Sequence, residues 1–316
     1  MKLVIIEPLG VDEEKLMAMA KEALGSRVEI VYYPTRTTDT KDLIERGKDA
    51  DIIAVSNLSL NSEVIDGCKK LKLLSVAFTG VDHIAMDACA KNGVTVCNCA
   101  GYSTAAVADL VFGMLISLYR NIIPCNEVTR NEGTKDGLVG FELEGKRFGV
   151  VGTGAIGTRT AMIAKAFGCD VYAYSRTVKD IPGITYVSLD ELMSTCDIVS
   201  LHVPMNSGTK HMIDRGKINL MKKNAVLINT ARGGVVDSEA LAGALNEERI
   251  AGACIDVFEN EPPIAKNHPL LTAKNTIVTP HVAFATKEAL IKRAVIVFQN
   301  IVKYLDGTPQ NEVCAR

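Results

Sequence analysis

The chain has 316 residues, 47% hydrophobic and 23% charged, which is long enough for two hydrophobic cores and too apolar for a disordered or fibrous protein. Lys and Arg total 35 against 37 Asp and Glu, a net charge of -2, so the basic field that nucleic acid or an anionic membrane requires is missing. Neither is expected as a partner.

In chain order, the first apolar run is too short for a signal-peptide core and is followed by Pro8, so residues 3–7 read as a strand. The apolar rhythm then predicts helix 12–24, strand 28–33, helix 41–47, strand 51–56, helix 62–69, strand 73–78, helix 82–91 and strand 94–98. Helix 105–123 is hydrophobic on nearly every side, which places it at a domain or subunit junction. A second series follows: strand 148–152, helix 155–167, strands 170–175 and 197–202, helix 218–223, strand 225–230, helix 238–246, and strands 252–257 and 276–279. The last helix, 287–305, carries Leu290, Ile291, Ala294, Val297, Phe298, Ile301 and Val302 near one side. Continuous Val, Ile and Leu runs separated by helices imply parallel sheets covered on both faces, an α/β protein of two doubly wound units. The longest apolar stretch is well short of a membrane span, and nine cysteines without a secretory signal point to reduced thiols in the cytoplasm. Cys97 and Cys99, with Cys89 nearby, lack the second pair that zinc spacing needs, so no metal is expected and the thiols read as buried structural groups.

Gly152, Gly154 and Gly157 form G-x-G-x-x-G between a predicted strand and a predicted helix, with Ala155 and Ile156 opening that helix. The first glycine permits the turn, the second lets backbone approach a pyrophosphate, and the third allows close packing, while the helix N-terminus offers N–H groups to phosphate. About 20 residues on, where an NAD site usually carries a carboxylate, Tyr174 is followed by Ser175, Arg176 and Thr177. Arg176 can pair with a 2′-phosphate and its neighbours can donate to it, which favours NADP(H) and leaves NAD(H) possible. In the alternative, Arg176 is solvated or stacks on adenine.

Ligands bind beyond the carboxyl ends of parallel strands, and there the chain presents Arg232, Glu259 with Glu261, and His281. An arginine, a carboxylate and a histidine can hold a carboxylate substrate and move a proton, although each alone reads as well as a turn residue or a surface ion pair. Thr79-Gly80-Val81-Asp82-His83-Ile84, the glycine turn, His202-Val203-Pro204 with Thr209, Asn229-Thr230-Ala231-Arg232-Gly233-Gly234, Asp256-Val257-Phe258-Glu259-Asn260-Glu261-Pro262 and Thr279-Pro280-His281 together resemble the D-isomer-specific 2-hydroxyacid dehydrogenase family over nearly the whole chain.

The resemblance implies a Rossmann cofactor domain, residues 100–284, inserted into a flavodoxin-like substrate domain formed by 1–99 and 285–316. It implies reversible reduction of a small 2-oxo acid to the D-2-hydroxy acid, with hydride passing from nicotinamide C4 to substrate C2. His281 is then the proton donor, Glu261 its partner, and Arg232 the carboxylate clamp. Thr79 and Gly80 would bind the substrate carboxylate through backbone amides, and Leu58 and Tyr102 would wall the pocket. Thr230, Ala231 and Asp256 would position the nicotinamide, with Val203, Pro204 and Thr209 around the cofactor. His202 and His83 read as structural, and helix 105–123 is where the family dimerises, so a homodimer is implied. Two departures stand out: the missing acid after Tyr174, and Phe284 where many members carry a small residue. A formate dehydrogenase-like enzyme is disfavoured by Glu261, since those relatives carry glutamine there, and a dinucleotide-sensing, corepressor-like protein is the reading from a different class.

Overall fold

Apolar runs too continuous to alternate between core and solvent become strands, the central ones buried on both faces and the edge ones partly covered. The computed structural model, which describes residues 1–313, contains two parallel sheets built from them. They belong to two units, Met1–Ser103 with Ala285–Arg316, and Thr104–Phe284.

In the first unit, β1 (Lys2–Ile5), β2 (Glu29–Tyr32), β3 (Ile52–Val55), β4 (Leu73–Val76) and β5 (Thr95–Cys97) take the order β2-β1-β3-β4-β5, the flavodoxin-like order. Helices α1 (Glu13–Leu24), α2 (Thr40–Gly47), α3 (Ser62–Gly67) and α4 (Met86–Lys91) connect them. Asp12, Asp39 and Asn61 cap the first three by accepting backbone N–H bonds. Helix α4 is shorter than the expected 82–91. Residues 83–85 instead pair with Leu60, which donates to His83 O at 2.9 Å and accepts from Ala85 N at 2.9 Å, so the backbone there is not available to a helix. The C-terminal helix Lys287–Leu305 belongs to this unit, with Val297, Phe298 and Ile301 at 1% exposure or less.

The second unit opens with α5 (Thr104–Tyr119), whose Phe112 stacks on Phe148 with centroids 5.8 Å apart. The expected helix to 123 stops earlier. Asn121 adopts φ 51°, and the chain bends by 56° into α6 (Ile122–Arg130), which leaves Ile122 and Ile123 exposed. Asparagine tolerates that left-handed conformation, whereas an apolar count runs straight through it. Then follow β6 (Arg147–Val151), α7 (Ala155–Ala166), β7 (Asp170–Tyr174), β8 (Ile184–Tyr186), α8 (Leu189–Thr195), β9 (Ile198–Leu201), α9 (Arg215–Leu220), β10 (Val226–Asn229), α10 (Ser238–Asn246), β11 (Gly252–Ile255) and β12 (Thr276–Val278). The order β12-β11-β10-β9-β6-β7-β8 is the Rossmann order with a seventh strand, and it reverses between β6 and β9. Strand β8 and helix α8 have no counterpart among the expected elements.

Among the described residues, no single helix is long and apolar enough to cross a membrane. The cysteines there are free thiols, and burial pushes Cys97 up to about 11 and Cys99 up to about 12. No group of three His, Cys, Asp or Glu side chains among the described residues could hold a metal ion.

Candidate active site

At the end of β6 the three glycines do three different things. Gly152 has φ 99°, and a Cβ there would lie 2.6 Å from His202 O. A Cβ on Gly157 would fall 1.9 Å from Gly152 O, so this position sets how closely α7 meets the strand. A Cβ on Gly154 would meet nothing within 4 Å, and Gly154 caps α7 without any side-chain hydrogen bond. The backbone there opens onto space at a helix N-terminus, followed by Ala155 and Ile156, a cradle suited to a pyrophosphate. A second polar feature fits a dinucleotide as well: Thr230 Oγ1 is buried and, among the described residues, has no hydrogen-bond partner.

Beyond β7, Ser175 is half-buried while Arg176 and Thr177 are exposed. Lys179, which the sequence reading missed, places its Nζ 2.6 Å from Thr153 O inside the glycine turn, and Tyr186 donates to Thr153 Oγ1 at 3.0 Å. This edge therefore carries two cations and no acid in the Tyr174–Thr177 stretch. Val203 lies against Gly152, with its Cγ1 2.9 Å from where a Cβ would stand. Pro204 is exposed, and Thr209 ties its loop by donating to Pro204 O at 2.6 Å and accepting from Asn206 N at 2.9 Å.

Arg232, Glu261 and His281 follow the ends of β10, β11 and β12. His281 Nδ1 sits 2.6 Å from Glu261 Oε1, with both side chains mostly covered. His281 has φ 54°, an uncommon conformation for a residue with a Cβ, and its N–H donates to Asp256 O at 2.7 Å. Asp256 is fully buried. Its carboxylate accepts from Thr279 Oγ1 at 2.5 Å, Val282 N at 2.8 Å and Ala283 N at 2.9 Å, which fastens the His281 turn on both sides. Burial pushes the Asp256 carboxyl above its ordinary range, opposed by these hydrogen bonds. Phe284 meets the His281 ring edge-on at 5.6 Å.

Arg232 follows Thr230 and Ala231 at the end of β10. Asn229 braces this turn at both ends, accepting from Ala231 N at 3.0 Å and donating to Arg232 O at 2.9 Å. A Cβ on Gly233 would lie 2.0 Å from the carbonyl carbon of Phe258, so the backbone just after Arg232 touches the segment that bears Glu261. With Nδ1 of His281 on the carboxylate, any proton exchange between this ring and a ligand would run through Nε2. At the end of β9, His202 reaches the buried Ser200 hydroxyl through Nε2 at 2.9 Å, and burial pushes its pKa down to about 3.

In the first unit, Leu58 is buried and donates its N–H to Glu7 at 3.0 Å. Thr79 is exposed and accepts from Asn98 Nδ2 at 2.7 Å, and Gly80 is half-buried beside it. Tyr102 is 3% exposed, packs edge-on to Phe78, and burial pushes its hydroxyl up to about 12. Glu7 and Arg293, both buried, were not singled out in the sequence. Arg293 lies 5.6 Å from the Phe78 ring centre and 5.8 Å from that of Tyr102, while Glu7 pairs with Arg36 at 3.2 Å.

The model of the D-isomer specific 2-hydroxyacid dehydrogenase NAD binding domain matches residues 112–283. The D-3-phosphoglycerate dehydrogenase of Methanocaldococcus jannaschii is 38% identical over 313 residues, covering 97% of this chain, which spans only 58% of that protein's length. The glyoxylate reductase of Thermococcus litoralis is 37% identical over 278 residues, 84% of this chain and 83% of that protein. Among solved structures, an acyclic imino acid reductase in complex with NADPH and D-Arg superposes with a TM-score of 0.90 at 31% identity, covering 99% of this chain and 100% of the other.

Proposed function

The chain belongs to the D-isomer-specific 2-hydroxyacid dehydrogenase family, and from that premise we propose that it reversibly reduces a small 2-oxo acid to the D-2-hydroxy acid. The 2.6 Å pair of His281 and Glu261, fastened by Asp256 and adjoining the Arg232 turn, carries this reading. Bound at the glycine turn, the reduced dinucleotide supplies the hydride. Arg232 takes the substrate carboxylate in a fork and fixes which carbonyl face is presented. As charge grows on the carbonyl oxygen, His281 gives it a proton from Nε2, and the Glu261 carboxylate stabilises the imidazolium beforehand. Thr79 and Gly80 add backbone contacts to the carboxylate, with Leu58 and Tyr102 walling the side chain.

NADP(H) is the preferred cofactor in this reading, because Arg176, Ser175, Thr177 and Lys179 offer charge and donors to a 2′-phosphate where an acid would repel it. The protein acts in the cytoplasm as a homodimer that uses the outer side of α5. Purified protein mixed with NADPH and glyoxylate, hydroxypyruvate, pyruvate or phenylpyruvate should consume the reduced nicotinamide, more slowly with NADH. If none of the four acids is turned over with either cofactor, the corepressor-like sensor becomes the better account. Reduction of NAD(P)+ by formate would favour the formate dehydrogenase-like alternative.

A further inference from the structure

The segment that delivers Glu261 to His281 has little backbone support. Pro262 and Pro263 lack an N–H, and among the described residues no backbone-to-backbone hydrogen bond holds residues 257–264. Its shape therefore depends on side chains. Glu261 splits its carboxylate, with Oε1 on His281 and Oε2 accepting from Phe258 N at 3.2 Å, so its direction follows the position of Phe258.

Phe258 is 3% exposed, and His268 meets its ring edge-on at 4.9 Å and 86°. Nε2 of the same histidine lies 2.8 Å from Oε2 of Glu259, the next residue, and its Nδ1 accepts from Leu270 N at 3.4 Å. The backbone N–H on Nδ1 puts the ring proton on Nε2, so the neutral imidazole is already the right donor to Glu259. Burial works against the Glu259 charge, but hydrogen bonds from Ser238 and His268 hold its carboxyl below the usual range. Ser238 opens α10, the helix after the Arg232 turn, and Gly233 in that turn touches the Phe258 backbone.

We propose that His268 and Glu259 form a second imidazole–carboxylate pair whose role is to position the first, locking Phe258 and Glu259 so that Glu261 stays on His281. The inference rests on the reading of His281 and Glu261 as the acid–base pair. His268 and Glu259 are positioning residues and touch no reacting atom. In His268→Leu, Glu261 swings more freely and stabilises the imidazolium less, so His281 loses its proton at lower pH.

Two readouts on the full-length protein test this: the pH dependence of kcat for 2-oxo-acid reduction, and an NMR titration of the His281 imidazole, assigned with His281→Asn. In His268→Leu, the alkaline limb of kcat and the titration should both move down by about half a pH unit, which is about a threefold loss of kcat above the limb. His268→Gln, whose amide can still donate to Glu259, should restore both. His268→Phe keeps the packing on Phe258 and loses the hydrogen bonds, so it gives the same expected shift should the leucine variant fail to fold. A folded leucine or phenylalanine variant with unmoved limb and titration overturns the proposal, whatever its thermal stability. If the wild-type protein turns over no 2-oxo acid, the functional reading falls, and the titration alone still decides whether the clamp acts on His281.

Discussion

A histidine placed to pass a proton and one that fills a strand end differ in what meets their nitrogens, and the proposed function assigns one of each to the strand ends of a single sheet. His281 faces a carboxylate through Nδ1, whereas the ring of His202 reaches the buried Ser200 hydroxyl. Replacing His281 by Asn should lower kcat by about 100- to 10,000-fold. Dinucleotide affinity, measured by calorimetry, should stay within about twofold, since His281 acts after binding; a variant with near-normal kcat would remove the acid–base role. At Arg232, lysine keeps the charge but not the planar fork, so Arg232→Lys should raise KM for the oxo acid and lower kcat/KM by about 10- to 100-fold, the worth of a charged hydrogen-bond pair. His202 leaves a different trace. Its folded pKa of about 3 lies below the ordinary 6.5, so the unfolded chain takes up the proton first. The fold therefore keeps its full stability above pH 6.5 and loses it as pH falls toward 3. The slope is about 1.4 kcal/mol per pH unit. Denaturant titrations across that range should give a shallower pH dependence for His202→Gln, and equal slopes in the two proteins would contradict an uncharged ring.

Elements bring these residues together, and the glycine turn is where an element's role can be separated from its ligand's. A methyl at Gly157 collides with backbone 1.9 Å away, so Gly157→Ala should cost about 1–3 kcal/mol of stability and weaken dinucleotide binding with it. A methyl at Gly154 meets open space, so Gly154→Ala should lose no more than about 1 kcal/mol of stability, the difference between glycine and the poorer N-cap alanine. Its dinucleotide affinity should nevertheless drop by about tenfold, read by fluorescence titration, because the methyl would stand where a pyrophosphate approaches; unchanged affinity would mean the cradle is not used. This turn was legible because strand, glycine spacing and helix coincide within one short window. Arg232, Glu261 and His281 were legible as strand-end residues, but that they share one mouth is set by the strand order β10-β11-β12, which no local pattern encodes. Helix α8 did leave a signal: Ser188 accepts from Glu191 N at 3.2 Å, and serine followed three residues later by glutamate marks a helix start. The lost first turn of α4 left none, because the pairing of Leu60 with residues 83–85 is a long-range competition for backbone groups. Lys179 was missed for a similar reason, since its partner Thr153 lies 26 residues away across the β6–β7 edge.

At the scale of the whole molecule, the first unit is not completed by the first 103 residues. Its sheet waits for the last helix, which arrives after the entire second unit has been made. The apolar stripe of that helix was visible in the sequence, but two of its buried residues are polar, and a count of apolar residues passes over them. Arg293 bonds to Leu9 O, and Asn300 donates to Asn98 O at 2.8 Å, so each fastens the helix to a loop of the first unit. Ser75, within β4, reaches the helix backbone at Val297 O at 3.1 Å, and the tail beyond the helix pairs with the β5 edge through Cys97 and Glu312. Val297, Phe298 and Ile301 together contribute about 5–9 kcal/mol of apolar burial, at 1.5–3 kcal/mol for each side chain. That equals much of the 5–15 kcal/mol by which a typical domain is stable. A chain ended after Phe284 should therefore lose the first unit while keeping the second, whose sheet and core lie wholly within Thr104–Phe284. Limited proteolysis should cut readily within residues 1–103 and spare 104–284. The surviving fragment should bind dinucleotide at the glycine turn, with 2-oxo-acid reduction abolished. Protection of residues 1–103 equal to that in the full chain would show that the helix merely decorates a unit able to fold without it, and the buried Arg293 and Asn300 would then need another explanation.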